Sequence, residues 1–287
     1  QNLRSALQKY LKGRLSTLGA TFSRFAYAAP LAVLCVLGLV LFGGRELPTL
    51  NSAFVGFAIL GGVTQIVATA LLVALFSFRN FAVGTTFSKT ETVQTALFGI
   101  VVLGETVSAG AALGIAVSLL GVLMISVTKS SLAPADLLRH LLERSALIGI
   151  ASGGFFGISA VAYRAAALSL PSGDFLIRAA FTLACVTVFQ TLFMAIYMGI
   201  REPGQLTAVL RCWRVSALVG LTGMLGSLGW FTAMTLQNAA YVRALGQIEL
   251  IFTFAASYLF FAERSSRNEL LGIGLMTLGI LILLLLR

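Results

Sequence analysis

The chain has 287 residues, of which 58% are hydrophobic and only 10% charged, and its formal net charge is +10. Soluble domains carry about 25% charged residues, so water alone is not this chain's solvent, and the composition reads as an integral membrane protein. The basic residues lie in short connections between apolar runs, which excludes a nucleic-acid footprint and fits the bias that holds Lys and Arg on the cytoplasmic side of a bilayer.

In chain order, residues 1–12 are too short and too polar to cross a membrane alone. Apolar runs of spanning length, about 20 residues each, follow at 20–43, 52–77, 83–103, 109–127, 146–167, 175–200, 215–236, 241–261 and 270–286. Offset by 154, Gly19 meets Gly173, Arg24 meets Arg178 and Ser5 meets Ser159, so residues 1–12 correspond to the latter part of the run at 146–167. The first helix is therefore expected to begin upstream of Gln1, giving ten transmembrane helices with the first truncated here. Between the runs, residues 129–145 form a linker. Asp136 there is expected to cap a short interfacial helix with Leu137, Leu138, Leu141 and Leu142 toward lipid, and with Arg139, His140, Glu143 and Arg144 toward water. His140 is the sole histidine, and on this polar face it reads as a solvated group. Cys35, Cys185 and Cys212 show no metal-ligand spacing and read as packed thiols.

The second half repeats the first. At an offset of 158, Asn80 falls on Asn238, Glu91 on Glu249, Thr95 on Thr253, Glu105 on Glu263 and Ser108 on Ser266, while Leu113-Gly114-Ile115 falls on Leu271-Gly272-Ile273. Five crossings per copy is an odd number, so the second copy of a direct repeat enters the bilayer upside down. The expected fold is all-α, two inverted five-helix repeats, with domains at 1–128 and 146–287. Such duplication around a central site is the build of many secondary transporters. Connections after odd-numbered helices hold twelve bases: Lys9, Lys12, Arg14, Arg79, Lys129, Arg139, Arg144, Arg201, Arg211, Arg214, Arg264 and Arg267. The opposite connections hold Arg45, Arg164 and Arg287, so the charge rule puts both termini outside.

Glu91 and Glu249 are the leading candidates for chemistry, because a carboxylate inside a span costs several kcal/mol unless it faces protein, water or a counter-ion. Glu91, Gln94, Thr95 and Phe98 share one face at helical spacing, and Glu249 shares one with Thr253 and Gly246. These stripes are expected to face an interior cavity, where either acid binds a substrate ammonium group or titrates. The competing reading is that each acid pairs with a cation from another helix and locks the helices together; Lys89 and Arg243 lie close in sequence. A second constellation comprises Ser152, Phe156, Ser159 and Tyr163 on one face of the span at 146–167. Asn2, Ser5 and Lys9 lie on the equivalent first-helix face, Ser227, Trp230, Met234 and Gln237 follow similar spacing, and Gln65 and Thr69 belong to the third helix. Aromatic, amide and hydroxyl groups together suit a zwitterion with an apolar side chain, or they are polar glue between packed helices. Asn2, Ser5, Lys9, Gln65, Glu91, Gln94, Phe156, Ser159, Tyr163, Trp230, Gln237 and Glu249 are the expected substrate-binding residues. Arg24 and Arg178 read as anchors that reach the headgroups, with Asp174 pairing Arg178 within one helix. Glu105 and Glu263 read as boundary acids that fix a connection or face water.

The glycine-rich run 220–229 lies inside a span with no strand before it, so it is not a dinucleotide fingerprint; it permits close helix contact or bending. The small faces Gly114, Ser118, Gly121 and Gly272, Met276, Gly279 are expected to pack the two halves together. Ser152 has no base within reach in the sequence pattern, which argues against an intramembrane hydrolase, and no filter-like run suggests a channel.

The helix endings Leu103-Gly104-Glu105 and Phe261-Ala262-Glu263, each followed by a polar turn and a glycine-spaced final helix, resemble the drug/metabolite transporter superfamily in its ten-helix form with two EamA domains. The family often carries a proline in its fourth helix, and Glu91–Leu103 has none; its members are generally drawn with both termini cytoplasmic. The resemblance implies export of small metabolites across the bacterial inner membrane by alternating access, without a cofactor. The expected cargo is amino acids, aromatic ones included as in exporters of the YddG type, with efflux of cationic drugs as the alternative. The expected partners are a small-molecule substrate and the lipid bilayer, and the expected working unit is a monomer.

Overall fold

The computed structural model of the protein describes residues 2–78, 81–129, 143–252 and 266–286. Every regular element among them is helical: α1 (Asn2–Lys12), α2 (Thr17–Leu41), α3 (Ser52–Leu75), α4 (Phe81–Ser88), α5 (Glu91–Leu103), α6 (Ala109–Lys129), α7 (Arg144–Ser169), α8 (Phe175–Arg201), α9 (Gln205–Arg211), α10 (Trp213–Leu236), α11 (Ala239–Gly246) and α12 (Arg267–Leu285). A further helical segment starts at Glu249. Among the described residues, α2, α3, α6, α7, α8, α10 and α12 are long and apolar enough to cross a membrane, so the protein is a multi-pass membrane protein. The expected interfacial helix at 137–142, with His140, lies outside the described residues.

Local chemistry sets the helix starts. Ser16 Oγ accepts from Gly19 N at 3.0 Å to open α2, and Asn51 Oδ1 accepts from Phe54 N at 2.7 Å to open α3. Ser266 and Glu269 form a reciprocal capping box on α12. Asp174 opens α8 by accepting from Leu176 N and Ile177 N. Its other carboxylate oxygen pairs with Arg45, so the expected pair within α8 to Arg178 does not form. A capping carboxylate must turn back over the helix start, away from a residue one turn further on, and Arg178 instead donates from Nε to Ser172 O at 3.3 Å.

The run at 83–103 is not one helix. It breaks between Ser88 and Glu91, where Lys89 N and Thr90 N donate to Thr86 O and Phe87 O at 3.1 and 3.2 Å in tight three-residue turns. The run at 241–261 breaks at the corresponding place: Gln247 N and Ile248 N donate to Ala244 O and Leu245 O, both at 3.1 Å. An average of apolarity over the run conceals this, because the interruption is only two residues long. No proline is needed. Each break leaves a basic residue near the end of the first segment (Lys89 after α4, Arg243 in the last turn of α11) and an acid at the start of the second (Glu91, Glu249). Both placements complement the partial charges of helix ends.

The described chain divides into two compact units that interleave the sequence halves: residues 1–77 with 158–237, and residues 78–157 with 238–287. The first unit joins α1, α2 and α3 to the later part of α7 and to α8, α9 and α10. In it α2 packs on α8 and α10, and α8 also packs on α3. Its apolar interior includes Ala28, Ala32, Leu170, Ala180, Leu183 and Phe231. Gly220 lets α10 approach α2 closely, since a Cβ there would lie 2.6 Å from Tyr27 C and 2.9 Å from Ala28 N. Gly226 and Gly229 have nothing within 4 Å, so close contact explains only the first part of the glycine-rich run.

The second unit joins α4, α5, α6, the start of α7, α11 and α12. Here α6 and α12 lie against each other backbone to backbone. A Cβ on Gly114 would sit 2.8 Å from Gly279 O, and one on Gly272 2.8 Å from Gly121 O. Gly114 and Gly121 therefore meet Gly279 and Gly272, in the reverse order, and the two helices run antiparallel.

Candidate functional site

Within the second unit, Glu91 and Glu249 each take their counter-charge from the other half of the sequence. Arg243 Nη1 lies 2.8 Å from Glu91 Oε1, with the two side chains 13% and 19% exposed. Lys89 Nζ lies 3.7 Å from Glu249 Oε1, with exposures of 30% and 27%. Gln247 Nε2 donates to Thr92 Oγ1 at 3.1 Å across the same contact. Two cations and two carboxylates thus form a neutral, half-buried group where both helices are interrupted. The counter-ion reading supplies the observed pairing, with the cations exchanged between the halves. Burial leaves a carboxylate and a guanidinium few cheaper options than each other.

The rest of the polar stripe on α5 lies against the start of α7. Gln94 Nε2 donates to Thr90 Oγ1 at 3.0 Å and to Ile150 O at 3.4 Å, and a Cβ on Gly154 would lie 2.8 Å from Gln94 Oε1. Gly157 faces Thr95 and Phe98 in the same way, at 3.1 and 3.3 Å. The glycines at the start of α7 remove side-chain bulk, and this face of α5 packs into the gap, with Thr95 buried and Gln94 and Phe98 half-buried. Phe156 is half-buried in this unit. Glu105 ends α5 structurally: Gly104 takes a left-handed φ of 62°, and Glu105 N donates to Gly99 O at 3.2 Å. Thr253 and Glu263 lie outside the described residues.

The first unit holds a second polar group. Tyr163 Oη is within hydrogen-bond distance of Gly61 O (2.9 Å) and Gln65 Oε1 (3.0 Å), and its ring stacks on Phe231 with centroids 4.4 Å apart. Gln190 Nε2 donates to Gly62 O at 3.0 Å and to Gln65 Oε1 at 2.9 Å. Gln190 is fully buried, and its Oε1 is an acceptor without a donor among the described residues. Gln65 and Tyr163 were expected in the site; Gln190 was not, although an amide alone in the apolar run 175–200 was the available signal. Ser159 is fully buried in this unit, Trp230 and Gln237 are half-buried, and Lys9 is exposed. Asn2 and Ser5 lie on α1, with their side chains outside the described residues. Arg24, expected to reach headgroups, is buried and donates to Thr69 Oγ1 at 3.0 Å. It starts in the middle of α2's packed face, so its stem is surrounded before it reaches an interface. Arg164 Nη1 donates to Met234 O at 2.6 Å and Gln237 O at 2.7 Å, closing the C-terminal end of α10.

The model of the EamA-like transporter family matches residues 4–127 and 144–285, and the chain belongs to that family. It is accordingly a membrane transporter of the drug/metabolite type, from a family of transporters and not of enzymes. A solved crystal structure of a protein 14% identical in sequence shares the fold at a TM-score of 0.70, covering 99% of this chain and 92% of that one. No curated protein matches the chain.

Proposed function

We propose that the protein exports small zwitterionic metabolites, foremost amino acids including aromatic ones, across a bacterial inner membrane by alternating access. On this reading the five-helix halves are inverted repeats, ten helices in all. The antiparallel meeting of α6 and α12, equivalent helices of the two halves, supports it. The carrying observation is the neutral group Lys89, Glu91, Arg243 and Glu249 on two interrupted helices. Interrupted helices are where such transporters hold charged substrate groups. An amino acid brings one ammonium and one carboxylate, the same charges these pairs present, so it exchanges with them without leaving a net charge in lipid. Arg243 and Lys89 suit its carboxylate, and Glu91 and Glu249 its ammonium group. The half-buried Phe156 of the same unit supplies aromatic surface for the remainder. The test is transport in proteoliposomes of labelled phenylalanine, a polar amino acid and a lipophilic cation, with and without a pH gradient. Saturable amino-acid transport that Glu91→Gln and Glu249→Gln both abolish is expected. Normal rates in both variants, or transport of the cation alone, would overturn the reading.

A further inference from the structure

The first unit contains a concavity of about 410 Å³ where the end of α1 meets the junction of α9 and α10. Its lining includes Tyr10, Arg14, Arg211, Trp213 and Arg214. No carboxylate is among the lining residues, and among the described residues none of the three arginines makes an ion pair. The acids of this unit are elsewhere or engaged. Asp174 pairs with Arg45, Glu202 Oε2 accepts from Ser16 Oγ at 2.5 Å, and Glu46 does not line the concavity. Arg24, Arg45, Arg164 and Arg243 each hold a polar partner inside the protein.

Two of the three guanidinium groups are braced on aromatic rings. Arg14 lies 5.0 Å from the centroid of Tyr10, and Arg214 lies 5.7 Å from that of Trp213. A ring face holds the cation but satisfies none of its in-plane N–H donors, so the braced groups remain ready for an oxyanion. The rings are themselves 51% (Tyr10) and 57% (Trp213) exposed. Trp213 is the first residue of a span, the depth at which amphipathic aromatics meet lipid headgroups. Three arginines without an ion pair among the described residues, in a hollow at the end of a span, match the headgroup phosphate of an anionic phospholipid.

We infer that this concavity is a binding site for the phosphate of an anionic phospholipid, which ties α1 to α9 and α10 through Arg14, Arg211 and Arg214. The site is independent of the transport reading, and its test needs no transport. The full chain, purified in detergent, is titrated with fluorescent phosphatidylglycerol, with phosphatidylcholine and with glycerol phosphate as competitors. Saturable binding of phosphatidylglycerol that phosphatidylcholine does not displace is expected. The triple variant Arg14→Gln/Arg211→Gln/Arg214→Gln is expected to weaken it about tenfold or more, and Arg267→Gln, in the other unit, to leave it unchanged. Should the triple variant fail to fold, the three single variants carry the test, each expected to weaken binding about threefold. Equal binding of the two lipids overturns the inference, as does wild-type affinity in these variants. Displacement by glycerol phosphate at matched concentration would assign the hollow to a soluble phosphate and overturn the lipid assignment.

Discussion

Arg243 and Glu91 meet at 2.8 Å, joining the end of α11 to the start of α5 across the two halves of the sequence. Breaking a buried pair from one side costs about 3–5 kcal/mol, because the remaining charge keeps its desolvation penalty; partial exposure places this pair toward the lower end. Glu91→Gln and Arg243→Gln are each expected to lower unfolding stability markedly. The double variant is expected to recover part of the loss, with a coupling of about 1–3 kcal/mol. Unfolding of the four proteins in detergent measures this, and additive losses would refute direct coupling. Transport is expected to stay lost in the double variant, since recovered stability does not restore the charges.

The Lys89–Glu249 pair should behave differently. At 3.7 Å, with both side chains more than a quarter exposed, it has less to lose. Lys89→Ala is expected to cost no more than about 1 kcal/mol. The same unfolding series checks the order, with Arg243→Gln the more damaging of the two.

The contact of α6 with α12 depends on hydrogen atoms where other residues have a side chain. Gly114→Val or Gly279→Val would drive a Cβ into backbone of the facing helix and is expected to cost upward of about 3 kcal/mol or to abolish folded protein. Gly226→Ala and Gly229→Ala, where nothing lies within 4 Å, are expected to be neutral or to gain about 0.5–1 kcal/mol of helix stability. Yield of monodisperse protein after gel filtration separates the two sets.

Tyr163→Phe removes one hydroxyl from a buried network yet keeps the ring on Phe231, so a loss of about 1 kcal/mol is expected. Gln190→Leu removes the side-chain donor to Gly62 O and one of the two donors to Gln65 Oε1, and is expected to cost more, about 1–3 kcal/mol. Thermal unfolding of both variants tests the order.

Much of this protein is legible in its sequence. Apolar runs marked the long helices, because lipid demands a continuous stretch of apolar side chains wherever the backbone must satisfy itself. The offset of 158 aligned Glu91 with Glu249 and Gly114 with Gly272, and both correspondences have structural consequences. Other readings failed for local reasons. The position of Arg24 near the start of α2 suggests a headgroup anchor, but burial depends on which neighbours surround that face. Asp174 was paired with Arg178 by spacing, but capping turned its carboxylate elsewhere.

By itself the sequence determined the solvent, the duplicated plan and the residues that bring charge into apolar runs, since composition and repetition are properties of the chain alone. The tertiary structure decided that the runs at 83–103 and 241–261 are interrupted and that Glu91 answers Arg243 while Glu249 answers Lys89. It also brought Gln190 to Gln65 and Tyr163. Pairings of this kind join residues far apart in the chain, and their energy depends on distance and burial, which only the packed helices fix.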